Sequence, residues 1–373
     1  MNKFEELGVG KKFVKGLNDL NITIPTEIQN KVIPILLSSN TDLVGQAQTG
    51  TGKTAAYGLP LLQKVDAGQN KIQGLILCPT RELGQQIAKQ LFRFTKYSAK
   101  IFTEAVYGGA PIEKQLVALR RPTHIIVATP GRLIDLVKRD AVDLSNVKTV
   151  ILDEADEMLS MGFKSELDEI LRYTSSAENK WLFSATMPQG IKQIVTDHLA
   201  ANAIRIEVNE KNVVNKNIEH QYIVCEETDK LHSLMQFLKK EGTNRGVIFC
   251  RTKVAAKKLS QQLTAKNIAV GAIHGDLLQK ERDKVMRAFK NESLRLLVAT
   301  DLAARGIDIE ALSFVVHYQL PDKDEYYTHR SGRTARAGKK GISLSLITPF
   351  ETKQIRFYEK SLHIAFNQIT LGV

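Results

Sequence analysis

The chain has 373 residues, 43% apolar and 25% charged, with 52 Lys and Arg against 40 Asp and Glu for a net charge of +12. At roughly 150 residues per domain that length predicts two domains, and the composition excludes a disordered or collagen-like chain. No apolar run approaches the ~20 residues a membrane-spanning helix needs, and Met1 leads into Asn2-Lys3-Phe4-Glu5 with no apolar leader.

Strand-sized apolar runs recur between longer helical patterns. In the first half they are Asp42–Val44, Gly74–Cys78, His124–Ala128, Val147–Leu152 and Trp181–Ser184. In the second they are Gly246–Cys250, Ile268–Ile273, Arg295–Ala299, Ser313–His317 and Ile342–Ile347. Runs that are continuous rather than alternating suit strands covered by helices on both faces, and strand–helix alternation implies a parallel α/β sheet. The pattern occurs twice, on either side of a polar, Asn- and Lys-rich segment at 208–217. Residues 1–207 and 218–373 are therefore expected to be two tandem α/β domains joined by a flexible linker.

Cys78, Cys225 and Cys250 are odd in number and scattered, which predicts reduced thiols in a cytoplasmic protein and no zinc site. The charge is uneven. Residues 1–208 hold 25 basic and 22 acidic side chains (+3), and 209–373 hold 27 and 18 (+9). Such an excess favours a polyanionic partner over an ordinary solvated surface.

The chemistry begins at Ala47-Gln48-Thr49-Gly50-Thr51-Gly52-Lys53-Thr54, between a predicted strand and a helical pattern. Ala47 stands where the strict phosphate-loop template has its first glycine. The rest is intact: Gln48 to Gly52 offer backbone N–H groups to phosphates at a helix N-terminus. Lys53 is placed to reach the β/γ-phosphates of ATP and the Thr54 hydroxyl to ligate Mg2+. A plain glycine-rich turn is the alternative. About a hundred residues on, Val150-Ile151-Leu152 runs into Asp153-Glu154-Ala155-Asp156. A carboxylate ending a buried strand suits a metal ligand, here Asp153, and its neighbour Glu154 suits orienting or deprotonating the attacking water. An acidic helix N-terminus would explain Glu154 and Asp156 without catalysis.

Asp153–Asp156 and the segments around it resemble the DEAD-box family of ATP-dependent RNA helicases, in superfamily 2, from Phe4 to about Gly338. Further matching segments are Pro25–Gln29, Pro79–Leu83, Gly108-Gly109, Thr129–Arg132, Ser184–Thr186, Val247–Thr252, His274-Gly275 with Gln279 and Arg282, Thr300-Asp301, Arg305–Asp308 and His329–Arg336. The resemblance implies two RecA-like P-loop domains that hydrolyse ATP with Mg2+ and unwind RNA. It implies that Phe4 and Gln29 meet the adenine, Gln29 by pairing with its N6/N7 edge as Gln does generally. A surface position for Gln29, and a staple role for Phe4 in the first helix, stay open.

The RNA backbone is implied to contact Pro79, Thr80, Arg81, Gly108, Gly109, Thr129, Pro130, Gly131 and Arg132, then Arg251, Gly275, Arg282 and Thr300 in the second domain. Loops mixing Gly, Pro, Thr and Arg at strand ends supply the usual donors to phosphate oxygens. No aromatic series is evident, so recognition of backbone and 2′-OH without base sequence is expected. Arg333 and Arg336, three apart, would share one face of a helix and act as arginine fingers, unless that helix is merely basic. By resemblance His329 joins Asp156, Ser184 and Thr186 in coupling hydrolysis to RNA, and Gly306 and Asp308 touch the nucleotide. Three positions depart from the family pattern: Asn21 and Ala335 where glycine is usual, and Ser331 where isoleucine is. The expected activity is RNA-stimulated ATP hydrolysis coupled to domain closure and local, non-processive unwinding by a monomeric core. An ATP-dependent RNA clamp or ribonucleoprotein remodeller is the alternative, and ribonucleoprotein or RNA-decay partners are possible for either.

Overall fold

The computed structural model describes residues 2–48, 50–208, 217–304, 312–322, 324–335 and 340–370. The chain divides into two compact units at Val208. Among the described residues each unit is a seven-stranded sheet in which every pairing is parallel. Unit 1 contains β1 (Leu43–Gln46), β2 (Gly74–Leu77), β3 (Thr103–Val106), β4 (Ile125–Ala128), β5 (Thr149–Leu152), β6 (Asn179–Ser184) and β7 (Ile204–Glu207). Unit 2 contains β8 (Ile218–Val224), β9 (Gly246–Phe249), β10 (Val270–Ile273), β11 (Leu296–Ala299), β12 (Phe314–His317), β13 (Gly341–Ile347) and β14 (Phe366–Gln368).

The strand orders are β3-β4-β2-β5-β6-β1-β7 and β10-β11-β9-β12-β13-β8-β14. Numbered from its own first strand, each unit reads 3-4-2-5-6-1-7. The central strands β2, β4 and β5 are buried at every residue, because helices cover both faces. One face of the first sheet carries a core around Tyr57, Phe94, Trp181 and Phe183, and the other a core around Leu133, Met158 and Leu182. Unit 2 repeats this with Phe237 and Phe314 on one face and Phe289 on the other. Among the described residues no helix is long and apolar enough to cross a membrane.

Every predicted run is a strand, shifted at its ends by a residue or two. Thr103–Val106, Ile204–Glu207, Ile218–Val224 and Phe366–Gln368 are strands that the apolar pattern does not reveal. Three of them are sheet edges, where one side lacks a neighbour and burial is incomplete, so the apolar run that marks an inner strand is missing. Of the expected linker, 209–216 lies outside the described residues.

Candidate active site

In unit 1 the site forms at the carboxyl ends of the strands, where parallel sheets expose their loops. The turn after β1 needs left-handed backbone twice, at Gly50 (φ 86°) and Gly52 (φ 87°), and the helix Lys53–Lys64 follows at once. A side chain at Gly52 would strike the Gln29 amide. Thr51 closes the turn through its hydroxyl on the Gln48 carbonyl at 2.7 Å. Lys53 is buried, 6% exposed, and its Nζ donates to the carbonyl of Ala47 at 2.8 Å. The residue that breaks the glycine template thus still supports the lysine through its backbone. Thr49 lies outside the described residues. Thr54 sits on the first turn of the helix.

Asp153 ends β5 in a buried position, and both its oxygens are oriented. Tyr57 donates its hydroxyl to Oδ2 at 2.7 Å, and the Glu154 backbone N–H donates to Oδ1 at 3.0 Å. Burial pushes the Asp153 carboxyl above the usual range, while Lys53 and the Tyr57 hydroxyl pull it down. Burial also raises Tyr57 far above an ordinary phenol, so it stays protonated and donates. Glu154 itself has φ 51°, the left-handed region that a non-glycine residue adopts at a cost of about 1–3 kcal/mol. It caps the short helix Ala155–Ser160. No sequence motif points to Tyr57. Its signal is the spacing: four residues after Lys53, it lies on the same helix face.

Asp156 links this strand end to the next. Its Oδ2 accepts from both the backbone N–H and the hydroxyl of Thr186, each at 2.8 Å, and its own N–H donates to the Ser184 Oγ at 3.3 Å. Gln29 is tied on both sides. Its Oε1 accepts from the Thr26 N–H at 2.9 Å, and its Nε2 donates to the Gly52 carbonyl at 3.0 Å. One amide hydrogen and one lone pair are left for a ligand. Phe4 has no exposed surface and belongs to the core of unit 1, so in this structure it offers no face to a base. It lies inside the helix Lys3–Glu6, just after the Asn2 cap.

Three loops of unit 1 converge after β2, β4 and β3, which are neighbours in the sheet. Thr80 and Thr129 each precede a helix; Thr80 caps Leu83 N–H at 3.3 Å, and Pro130 occupies the first helical position after Thr129. The Thr129 hydroxyl accepts from Gly108 N–H at 3.3 Å, and Arg132 donates to the Ala110 carbonyl at 3.1 Å. Arg132 Nη1 is buried with no partner among the described residues. The Arg81 guanidinium lies over the Tyr107 ring, 4.7 Å from its centroid. Gly109 takes φ 75°, and Gly108 and Gly131 have open space beside them. Pro79 is buried at the start of this group.

Unit 2 places Arg251, Gly275 and Thr300 after β9, β10 and β11, the matching three strands. Arg251 donates to the Leu320 carbonyl and pairs with Asp322 at 2.9 Å. Arg282 donates to the Ala303 carbonyl at 2.7 Å. Thr300 is buried, and Gly275 is open on its Cβ side.

The helix that carries His329 ends at Ser331. Arg333 follows it in a turn, Thr334 bridges to Leu312, and Ala335 is left-handed at φ 56°. The expectation of one helical face for Arg333 and Arg336 is therefore corrected: the helix stops at Ser331, the chain turns through Arg333 to a left-handed Ala335, and Arg336 lies outside the described residues. Gly306 and Asp308 also lie outside them. Arg330, inconspicuous in the sequence, is the best-held group of this region. It is 1% exposed, grips Asp301 with two bonds of 2.5 and 2.6 Å, donates to the Gln319 carbonyl and lies over Phe249. The departure at Ser331 also has a setting. Its hydroxyl joins a buried group with His317 and Ser343, at 3.3 and 2.9 Å, where isoleucine would bring no hydrogen bond.

A left-handed glycine turn beneath a buried lysine, with an oriented aspartate at the end of the strand two places away in the sheet, defines a P-loop nucleoside triphosphatase of two RecA-like units. The family model for DEAD/DEAH box helicases matches residues 26–194, and that for the helicase conserved C-terminal domain matches 229–338. The chain is 41% identical over 361 residues to the DEAD-box ATP-dependent RNA helicase CshA of Bacillus cereus, covering 97% of this chain and 68% of that protein. It is 39% identical over 359 residues to the DEAD-box ATP-dependent RNA helicase RhpA of Helicobacter pylori, covering 96% and 72%. Among solved structures, S. cerevisiae Dbp5 bound to RNA and ADP BeF3 superposes with a TM-score of 0.90 at 30% identity, covering 99% of this chain and 96% of that one. The chain belongs to the DEAD-box family of ATP-dependent RNA helicases.

Proposed function

We propose that this chain binds ATP and RNA together, hydrolyses ATP faster when RNA is bound, and separates short RNA duplexes locally without travelling along them. The observation that carries the reading is that the nucleotide residues and the three phosphate-donor loops occupy the same carboxyl edge of one sheet, with Asp156 and Thr186 hydrogen bonded between adjacent strand ends. Lys53 and the N–H groups of Gln48 to Gly52 receive the phosphates. Asp153 and Thr54 suit Mg2+, a hard cation that takes few protein oxygens and keeps water or phosphate for the rest. The metal supplies charge neutralisation at the phosphates. Glu154 orients and deprotonates the attacking water.

Gln29 selects adenine with its remaining donor and acceptor. Guanine reverses the pattern and leaves buried groups unpaired, at a cost of about 1–3 kcal/mol. Arg333 and Arg336 neutralise the γ-phosphate when the two units close on ATP and RNA, and His329, Gly306 and Asp308 act from the same unit. The grip of Arg81, Arg132, Arg251, Arg282 and Thr300 falls on backbone phosphates and 2′-OH groups, so it is indifferent to sequence. Free Cys78, Cys225 and Cys250 support residence in a reducing cytoplasm.

The test is Glu154→Gln. Losing a positioned base typically costs roughly 10²–10⁴ in rate, so RNA-dependent kcat should fall by that factor while ATP and RNA affinities persist. A kcat within a few-fold of the parent would remove Glu154 from the mechanism. ATPase activity with RNA, with DNA and with neither tests the choice of activator.

A further inference from the structure

The loops assigned to RNA do not use up the positive excess of unit 2. Arg251 is paired with Asp322, and Arg282 is committed to the Ala303 carbonyl. Much of the remainder lies on one helix, Gln279–Lys290, which carries Lys280, Arg282, Lys284, Arg287 and Lys290 against Glu281 and Asp283. Lys280, Lys284 and Arg287 stand at i, i+4 and i+7, so they form a single stripe about 10 Å long. All three are exposed, and among the described residues no carboxylate lies within ion-pair distance of them. The helix's own carboxylates are engaged elsewhere: Glu281 accepts from the Leu278 N–H, and Asp283 accepts from the Gln279 amide.

Like charges at this spacing weaken a helix. The surface helices of unit 1 avoid the cost by pairing Lys31 with Glu27, Arg139 with Asp135 and Lys138 with Glu169. A stripe whose cations lack carboxylate partners among the described residues is open to an anion from outside the chain. The apolar face of this helix is spent on the core, where Val285, Met286 and Phe289 pack with Ile273 and Leu297, so it has no apolar stripe to enter a lipid surface. Its first turn also carries Gln279 and Arg282 beside the Gly275 loop, so the stripe starts at the RNA track and leads away from it down the flank of the edge strand β10.

We propose that Lys280, Lys284 and Arg287 form a second phosphate-binding surface, which holds RNA flanking the segment gripped at the strand-end loops. This rests on the RNA-binding reading above. At 3.4 Å per nucleotide along one strand of a duplex, a stripe of about 10 Å faces about three phosphates. Such contacts carry no sequence information and act as a tether, raising affinity for long or structured RNA without changing the chemical step.

The experiment uses the full chain and two RNAs, a short single strand that spans the loops alone and the same strand extended by a duplex. The variants are K280E/K284E/R287E and the milder K280Q/K284Q/R287Q, the second guarding against a helix weakened by reversal. Affinity is measured by fluorescence anisotropy across a salt series, with RNA-stimulated kcat alongside. Each phosphate contact contributes about 0.7–0.9 to the slope of log affinity against log salt, so losing three should flatten the slope for the extended RNA by about 2. Affinity and kcat with the short strand should stay at the parent's values. An unchanged slope on the extended RNA would overturn the proposal, as it would if the stripe served an acidic protein. An equal loss on both RNAs would also overturn it, by placing the three cations in the loop site itself. A parent chain whose ATPase answers to neither RNA would instead overturn the underlying RNA reading.

Discussion

The two units share the strand order 3-4-2-5-6-1-7 and differ in the loops their strands lead into. After the third, fourth and second strands both present a set of backbone and guanidinium donors: Gly108, Thr129 and Arg81 in one, Gly275, Thr300 and Arg251 in the other. After the first strand they part. In unit 1 the turn from β1 ends in Lys53, the first residue of its helix, buried and bonded only to a backbone carbonyl among the contacts described. In unit 2 the turn from β8 likewise ends in a lysine that opens a helix, Lys230, equally buried. But Glu227 at 2.8 Å and Glu351 at 3.5 Å neutralise it. After the fifth strand, Asp153 in unit 1 is matched by Tyr318 in unit 2. The edge that carries these donors is present twice, and the turn with a buried lysine free of carboxylate partners among the described contacts once. Equal topology therefore sets where loops emerge, and the side chains at one turn decide whether that place holds an anion or a carboxylate.

Lysine exchange should break this symmetry most strongly. Lys53→Met removes a positioned cation from the transferred phosphoryl group, and losing one such stabilising donor costs roughly 10²–10³ in kcat. Lys230→Met keeps the buried stem and leaves two glutamates that are 61% and 26% exposed in side-chain area. Stranding these carboxylates costs stability, moderated by their contact with solvent, but takes no group away from the turn after β1. Turnover by that variant should stay within two-fold of the parent. If Lys230→Met stopped ATP hydrolysis in a folded protein, the turn after β8 would be a nucleotide site after all.

Arg330→Leu should come next in size. The arginine lies 1% exposed between Asp301 and the Gln319 carbonyl, and its loss strands an aspartate that is 21% exposed. Breaking a buried pair from one side costs about 3–5 kcal/mol. The lower figure suits the partial exposure of Asp301. Hydrogen exchange in β9, β11 and β12 should speed up while β1, β5 and β6 keep their protection. Adding Asp301→Leu should return part of the loss, and a single variant with unchanged exchange would show that Arg330 holds nothing.

Acid should separate the units further. Burial depresses His220 to about 4 and His317 well below its ordinary value. A base with a lowered folded pKa stabilises fully above its unfolded pKa, about 6.5, and loses that stability as pH falls below it. By pH 5, His220 alone should cost unit 2 about 2 kcal/mol, at 1.36 kcal/mol per pH unit. Trp181 is the chain's one tryptophan and is buried in unit 1, so its fluorescence isolates that unit during urea unfolding. Circular dichroism should lose a component before Trp181 responds as pH is lowered. Coincident transitions at pH 5 and pH 7 would contradict it, and His220→Gln should remove its share of the slope.

The sequence made the inner strands legible because burial on both faces leaves an unbroken apolar word, as in Ile125-Ile126-Val127-Ala128. Thr103–Val106 and Phe366–Gln368 are half exposed at sheet edges and read like loops. The phosphate turn and Asp153-Glu154 were visible because their chemistry is contiguous. What stayed hidden depends on partners distant in the chain: Tyr57 orienting Asp153, Gln29 bridging Thr26 to Gly52, Arg330 clamped on Asp301. A helix through Arg333 overextends the element because spacing alone does not register its end at Ser331 or the left-handed Ala335 that follows.

The smallest effect concerns a left-handed residue on the surface of unit 1. Asn21 takes φ 56° where the family pattern has glycine, in the turn leading from the helix Lys11–Asn18 toward Gln29. Its side chain is exposed, so packing contributes little and the backbone decides. An alanine there carries the left-handed penalty of an L-residue, about 1–2 kcal/mol, without the local hydrogen bonding that makes Asn tolerant. Glycine escapes the penalty but gives up more chain entropy on folding, about 0.5–1 kcal/mol. Asn21→Ala should therefore lower the stability of unit 1 by about 1 kcal/mol, and Asn21→Gly should leave it within about 0.5 kcal/mol. Urea midpoints tracked by Trp181 fluorescence measure both. If alanine proved as stable as asparagine, the turn would have another low-energy conformation, and the strain that unit 1 carries at Glu154 would lose its parallel at Asn21.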